Sequence, residues 1–296
     1  MDLELDSVRS FDGTRLAVQE TGSGDPFVLA NGLGGSIRAW EAMIDHLAPN
    51  WRCVSFDYRG LYDSDPPADP AAVTIADQRE DLAAVMDARG IECAVLAGWS
   101  MGVQVILDFA LTYPERVRAL VPICGTAGDP FKTAMGTEQS RWLIPLGTEI
   151  IERMATPFGY AAQALASLPF TPQVMQTAGL LAPEADLDVF RDLAQGFSQL
   201  DWAIYMRTMR EMGFHSTWER LGDIEVPTLV VSGTRDLMTP ASVGRRMAER
   251  IPGAEFLLVE GGSHYVPVEF PDLLNERLDS FFAARLDDSV NRAGLQ

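Results

Sequence analysis

Cysteine and histidine are scarce in this chain, with three of each in 296 residues. Cys53, Cys93 and Cys124 form an odd set, each in or beside an apolar, strand-like run, and read as buried free thiols rather than a disulfide framework. No clustered Cys/His spacing is present, so no metal motif is expected. The opening residues Met1-Asp2-Leu3-Glu4-Leu5-Asp6 lack the basic and apolar regions of a secretory signal. No apolar run reaches membrane-spanning length. The best stretch, 93–111, is interrupted by Gly98, Ser100, Gly102, Gln104 and Asp108. Positive charge is also short: 23 Lys and Arg stand against 42 Asp and Glu, a formal net charge of −19. That balance argues against nucleic acid and anionic membranes, because the long-range field repels both. A soluble acidic surface and a cytoplasmic location are the default expectation. Internal repeats and low-complexity segments are missing too.

What is present is a core. Hydrophobic residues make up 47% of the chain, and the length suits one large α/β domain with an inserted subdomain. Residues 3–9 and 14–20 alternate apolar and polar around Phe11-Asp12-Gly13, which predicts an antiparallel hairpin. Strands are expected at Phe27–Ala30, Arg52–Phe56, Val95–Gly98, Val117–Cys124, Pro227–Gly233 and Phe256–Val259. Helical patterns separate them, among them Thr74–Arg89, Pro240–Ile251 and Pro271–Ala284. Such alternation implies a mostly parallel sheet covered by helices on both faces. Between Gly125 and Leu221 strand signals vanish. Phe190, Leu193, Phe197, Leu200 and Ile204 follow helical spacing there, and Met135, Met154, Met175, Met206, Met209 and Met212 are scattered through the block. Residues 1–125 and 221–290 are therefore expected to form the core domain. Residues 126–220 are expected to form a helical cap over the carboxyl ends of the strands, with most of its methionines serving as packing. The tail after Asp287 is polar and expected to fray.

The strongest local signal is Val95-Leu96-Ala97-Gly98-Trp99-Ser100-Met101-Gly102-Val103-Gln104-Val105-Ile106-Leu107. A β-prone run enters Gly-x-Ser-x-Gly and a helix-prone run leaves it, the setting in which such a serine becomes a nucleophile. A serine hydroxyl needs a base, and the base needs a group that holds its tautomer. Asp236 follows a strand in Ser232-Gly233-Thr234-Arg235-Asp236, and His264 follows the last strand in Gly261-Gly262-Ser263-His264. Singly, each also fits a solvated loop residue; the three in this order at strand ends fit a triad better. Asp129, after the Val117–Cys124 strand, stays open as an alternative acid. His46 and His215 precede the acid and read as surface and packing residues. Oxyanion donors are expected from the backbone N–H of Met101 and of Leu33, the latter in Asn31-Gly32-Leu33-Gly34-Gly35.

On these motifs, together with Asp57-Tyr58-Arg59-Gly60, the chain resembles the α/β-hydrolase fold superfamily from about residue 8 to residue 284. Within it, the chain is similar to small serine esterases, lipases and cofactor-free haloperoxidases or perhydrolases. Two departures stand out. Asn31 occupies the position where relatives usually carry histidine, which bears on how the oxyanion loop is braced. Tyr62 replaces the second glycine of Arg-Gly-x-Gly-x-Ser before Ser64, which bears on a loop near the site. The resemblance implies hydrolysis of carboxylic esters through an acyl-enzyme, with no cofactor and no metal, on a small-molecule ester. Carbon–carbon bond hydrolysis of vinylogous diketones and perhydrolysis are the alternatives. A non-catalytic binding protein on this fold usually lacks a triad member, and none is lost here.

Overall fold

The Phe11-Asp12-Gly13 turn closes on itself: the Asp12 carboxylate accepts the Thr14 N–H at 3.0 Å, and Gly13 adopts φ +87°. It joins β1 (Glu4–Arg9) to β2 (Arg15–Thr21), an antiparallel pair in register from Glu4↔Glu20 to Arg9↔Arg15. This is a computed structural model, and it describes residues 3–132 and 170–286, with 157, 159–161, 164 and 168 between them. Further strands are β3 (Asp25–Ala30), β4 (Trp51–Phe56), β5 (Ala94–Trp99), β6 (Val117–Ile123), β7 (Leu229–Gly233) and β8 (Glu255–Val259). They form one sheet in the order β1-β2-β4-β3-β5-β6-β7-β8, antiparallel only where β2 meets β1 and β4. Helices α1 (Glu41–Leu47), α2 (Ile75–Ala88) and α3 (Met101–Thr112) fill the first crossovers. α4 (Thr171–Thr177), α5 (Leu187–Ser198) and α6 (Trp202–Phe214) lie between β6 and β7. α7 (Ala241–Arg250), the short α8 (Val266–Glu269) and α9 (Pro271–Arg285) complete the chain.

The period-2 pleat of β5 divides the core. Leu96 faces the layer of α2 and α3 with Leu82, Val85 and Phe109. Val95 and Ala97 face the opposite layer of α1 and α9 with Ile44, Leu278 and Phe281. A strand buried on both faces has to be apolar throughout, and β5 is. The expected hairpin and mostly parallel sheet are present.

Two expectations need correction. The run from Phe190 to Ile204 is not one helix. Asp201 accepts the N–H groups of Ala203 and Ile204 at 2.9 and 3.1 Å, and this cap starts a new helix. The three cysteines are not all buried. Cys93 is exposed because it precedes β5 by one residue, where burial has not begun; burial pushes the Cys53 thiol up to about 12. Met135, Met154 and the tail from Asp287 lie outside the described residues. No helix among the described residues is long and apolar enough to cross a membrane.

Candidate active site

The turn between β5 and α3 leaves no room for side chains. A Cβ on Gly98 would lie 2.4 Å from the Gly102 carbonyl oxygen, and one on Gly102 would lie 2.1 Å from that of Ala30. Glycine at both positions therefore lets β5, α3 and the end of β3 meet. Between them Ser100 is forced to φ 55°, ψ −114°, a conformation costing an L-residue roughly 1–3 kcal/mol. The strain lifts its side chain off the carboxyl end of the sheet and puts it at the N-terminus of α3, where the helix dipole favours negative charge.

Asp236 and His264 reach the same spot from the loops after β7 and β8. His264 Nε2 stands 2.9 Å from Ser100 Oγ, and Nδ1 stands 2.9 Å from Asp236 Oδ2. A carboxylate only accepts, so the ring carries its proton on Nδ1 and presents a free lone pair to the serine. Asp236 is itself held: Oδ1 accepts the N–H groups of Met238 and Thr239, both at 2.8 Å, and Oδ2 accepts the Thr239 hydroxyl at 2.7 Å. Burial pushes this carboxyl up. The charge that His264 carries when doubly protonated, its ring hydrogen bond and the Thr239 donors outweigh burial and hold it below the ordinary aspartate range.

The other sequence candidates stay apart. Asp129 accepts the Phe131 N–H and lines a separate groove of about 750 Å³ with His215, Trp218 and Arg250. His215 faces Asp108 at 3.7 Å, and His46 pairs with Asp279 at 2.9 Å on the surface. Among the described residues no three His, Cys, Asp or Glu side chains gather as a metal site.

Around Ser100 the N–H groups of Leu33 and Met101 make no hydrogen bond within the described protein. Both stay available to an oxyanion. The Leu33 loop is braced by residues beyond those that sequence reasoning assigned to the site. The Asn31 side chain accepts the Trp40 indole N–H at 2.7 Å and donates to the Phe56 carbonyl at 3.0 Å, so an amide holds the loop. The Tyr58 hydroxyl donates to the Asn31 carbonyl at 2.7 Å, and that of Tyr62 donates to the Gly34 carbonyl at 2.5 Å. Tyr62 adopts φ 51°, the left-handed region that glycine would fill more cheaply. Trp99, the variable residue of the elbow, donates its indole N–H to the His264 carbonyl at 2.8 Å. Glu269 is fully buried and accepts the Ser263 N–H at 2.8 Å, the Ser263 hydroxyl at 2.6 Å and the Ala182 N–H at 2.7 Å. It ties the His264 loop to the segment after α4. The signals for these braces were weak: a tyrosine in a glycine's place and an asparagine in a histidine's.

Above Ser100 opens a cavity of about 560 Å³, walled by Leu33, Phe190, Leu193, Phe197, Trp202 and Tyr205 among others. Phe197 meets Trp202 and Tyr205 edge-on, at 5.0 and 5.1 Å between ring centroids. No lysine or arginine is among the described residues of its wall.

A strained serine between a parallel strand and a helix, with histidine and aspartate from later strand ends, is the arrangement of α/β-hydrolases. The family profile described as "alpha/beta hydrolase fold" matches residues 25–271, and the chain belongs to that family. It is 30% identical over 261 residues to a protein of Azorhizobium caulinodans named as a candidate carbamate hydrolase, RutD, with 88% of this chain and 92% of that one covered. It is 31% identical over 288 residues to the 2-hydroxy-6-oxononadienedioate/2-hydroxy-6-oxononatrienedioate hydrolase of Paraburkholderia phymatum, covering 91% and 92% of the two chains. Among solved structures, a thermophilic esterase from Thermogutta terrifontis superposes with a TM-score of 0.76 at 21% identity, covering 95% and 98%.

Proposed function

We propose that this chain is a serine hydrolase of carboxylic esters, with Ser100 as nucleophile, His264 as base and acid, and Asp236 as the group that orients His264. The observation that carries the reading is the unbroken relay from Asp236 through His264 to Ser100, 2.9 Å at each step, at the floor of an apolar cavity. Ser100 Oγ attacks the ester carbonyl while its proton passes to His264 Nε2. The oxyanion settles against the N–H groups of Leu33 and Met101. As the tetrahedral adduct collapses, the C–O bond to the alcohol breaks and His264 returns the proton to the departing oxygen. Water then attacks the acyl-enzyme by the same proton route and releases the acid. Asp236 stays ionised throughout and stabilises the imidazolium. Residues 126–220 act as a cap whose described helices α5 and α6 roof the acyl chain.

The relatives' names also raise carbamates and the vinylogous diketones of carbon–carbon hydrolases. A dioate brings two carboxylates, and the wall of this cavity offers no cation among its described residues, so an ester with an apolar acyl group fits it better.

A panel of p-nitrophenyl esters of increasing chain length tests the reading, together with fluorophosphonate labelling. Label is expected on Ser100, and Ser100→Ala is expected to lose label and about 10⁶ in kcat with the fold intact. Label on another serine, or inactivity on every ester, overturns it.

A further inference from the structure

Beside the apolar cavity lies a smaller chamber of about 140 Å³, which shares Met175, Met238, His264 and Tyr265 with it. Arg235 stands in the chamber wall. Its guanidinium lies over the backbone of Gly179, where an added Cβ would sit 3.5 Å from Nη2. Arg235 is exposed, and no carboxylate, carbonyl or ring of the described protein lies against its guanidinium, which solvent reaches. Every other described arginine has a carboxylate, a carbonyl or an aromatic ring against its guanidinium. The two buried carboxylates closest in sequence to the chamber residues are engaged elsewhere. Asp236 accepts from His264, Met238 and Thr239, and Glu269 accepts from Ser263 and Ala182. In a chain of net charge −19, carboxylates are abundant, yet this cation has none against it among the described residues.

From this juxtaposition we infer that Arg235 receives a carboxylate carried by the alcohol portion of the ester, so that the substrate is an anionic ester with an apolar acyl group. The inference rests on the proposed ester hydrolysis and adds the substrate's charge and its placement. The placement follows from the proton route. His264 must protonate the departing oxygen, so the alcohol leaves alongside the His264 ring, and the chamber with Arg235 adjoins that ring. The apolar cavity beneath α5 and α6 then takes the acyl chain. A guanidinium suits a carboxylate because its forked donors match both oxygens. The net negative field of the protein opposes the approach of any anion, so the local cation decides whether such an ester is used.

The test compares butyrate esters whose leaving groups differ in charge but little in shape: 4-carboxyphenyl and 3-carboxyphenyl butyrate against their carbamoyl counterparts. The wild-type protein is expected to favour the carboxylate of at least one pair by about tenfold in kcat/KM, as a charge-assisted hydrogen bond supplies. Arg235→Gln is expected to abolish the preference and Arg235→Glu to reverse it, with carbamoyl esters turned over within about twofold of wild type. That last readout separates charge recognition from damage to the neighbouring Asp236. No carboxylate preference in the wild type, or an undiminished one in Arg235→Gln, overturns the inference and leaves the ester reading standing. A preference for acid on the acyl side instead, measured with 4-nitrophenyl hemisuccinate against 4-nitrophenyl valerate, also overturns it. Inactivity on all these esters defeats both.

Discussion

The floor and the roof of the cavity are built on different principles. The floor, where Ser100, His264 and Asp236 meet, is held by backbone: two glycines without room for a Cβ, a serine at φ 55°, and loops that leave the ends of β7 and β8. The roof is held by side chains, Phe197 against Trp202 and Tyr205, on helices that start afresh at Asp186 and Asp201. A backbone constraint tolerates few residue types at each position. A packed aromatic cluster tolerates many of similar volume. On the proposed function, chemistry is assigned to the floor and chain-length preference to the roof.

After Ser100→Ala, the largest expected effect also probes the floor. Asp236→Asn keeps the shape of the carboxyl but favours the wrong tautomer of His264, and kcat should fall by about 10³–10⁴. Asp129→Asn, in the separate groove, should stay within about twofold. Matched kinetics giving the reverse ranking would put the acid on the β6 side of the sheet and break the assignment.

A smaller effect is expected where floor and roof touch. Tyr62 braces the Gly34 carbonyl, and its ring lies near the Gly196 backbone of α5, 3.2 Å from where a Cβ would stand. Tyr62→Phe loses one hydrogen bond, worth about 1 kcal/mol, so kcat on a short ester should fall roughly fivefold at unchanged KM. A change confined to KM would make Tyr62 part of the roof instead.

The difference between the regions also governs how much could be read from residues alone. Ser100, Asp236 and His264 announce themselves because each residue type sits in a turn that follows a strand, and the structure brings the three into contact. The expected Met101 donor follows from the turn at Ser100, and the expected Leu33 donor from the glycine-rich loop after β3. The braces are harder to read because they act across long separations. Tyr62 reaches back to Gly34, Trp99 bonds the backbone of His264, and Glu269 joins Ser263 to Ala182. None of these contacts leaves a period in the sequence. The break at Asp201 was hidden because the apolar spacing carries on across it, and only the aspartate marks a new helix start.

The roof yields a selectivity prediction. Phe197 packs over the oxyanion loop so closely that a Cβ on Gly34 would meet its ring at 2.7 Å. Phe197→Ala opens that space to the acyl chain. Each methylene newly buried is worth about 0.8 kcal/mol, so preference for longer acyl groups should rise about fourfold per added carbon until the space is filled. Acetate turnover should hardly change. Equal losses on acetate and octanoate would show that the roof also shapes the floor.

The smallest expected effect concerns stability, and it shows that the floor's bracing carries a cost. Asp57 ends the β4 side of the site, just before Tyr58 and Tyr62, and is 3% exposed. It receives only long hydrogen bonds, from Gln19 at 3.2 Å and the Asp63 N–H at 3.3 Å. Arg59, two residues on, is committed to Asp81 and Asp12 instead. Burial outweighs the two hydrogen bonds and, with the charge of Asp63, pushes the Asp57 carboxyl up to about 6. The folded chain thus holds this proton more tightly than the unfolded chain, whose aspartates titrate near ~3.9. The resulting stabilisation is complete below about pH 4 and is lost as pH rises through about 6, so at pH 7 the buried carboxylate weakens the fold. Asp236 works in the opposite sense, because its lowered carboxyl supports the fold above about pH 4 and gives way only in stronger acid. The two windows do not overlap. Asp57→Asn removes the charge and keeps the amide within reach of Gln19. Its melting temperature at pH 7 should exceed that of the wild type by a few degrees, on the scale of ~2–4 °C per kcal/mol for a domain of this class. Between pH 6 and pH 4 the gap should close, because the wild type regains its proton while the variant has none to bind. Thermal unfolding at pH 4, 5, 6 and 7 measures this directly. A variant that melts lower at pH 7 would show that Asp57 holds the β4 loop through its charge, and one that keeps the wild-type slope would show that another group carries the pH dependence.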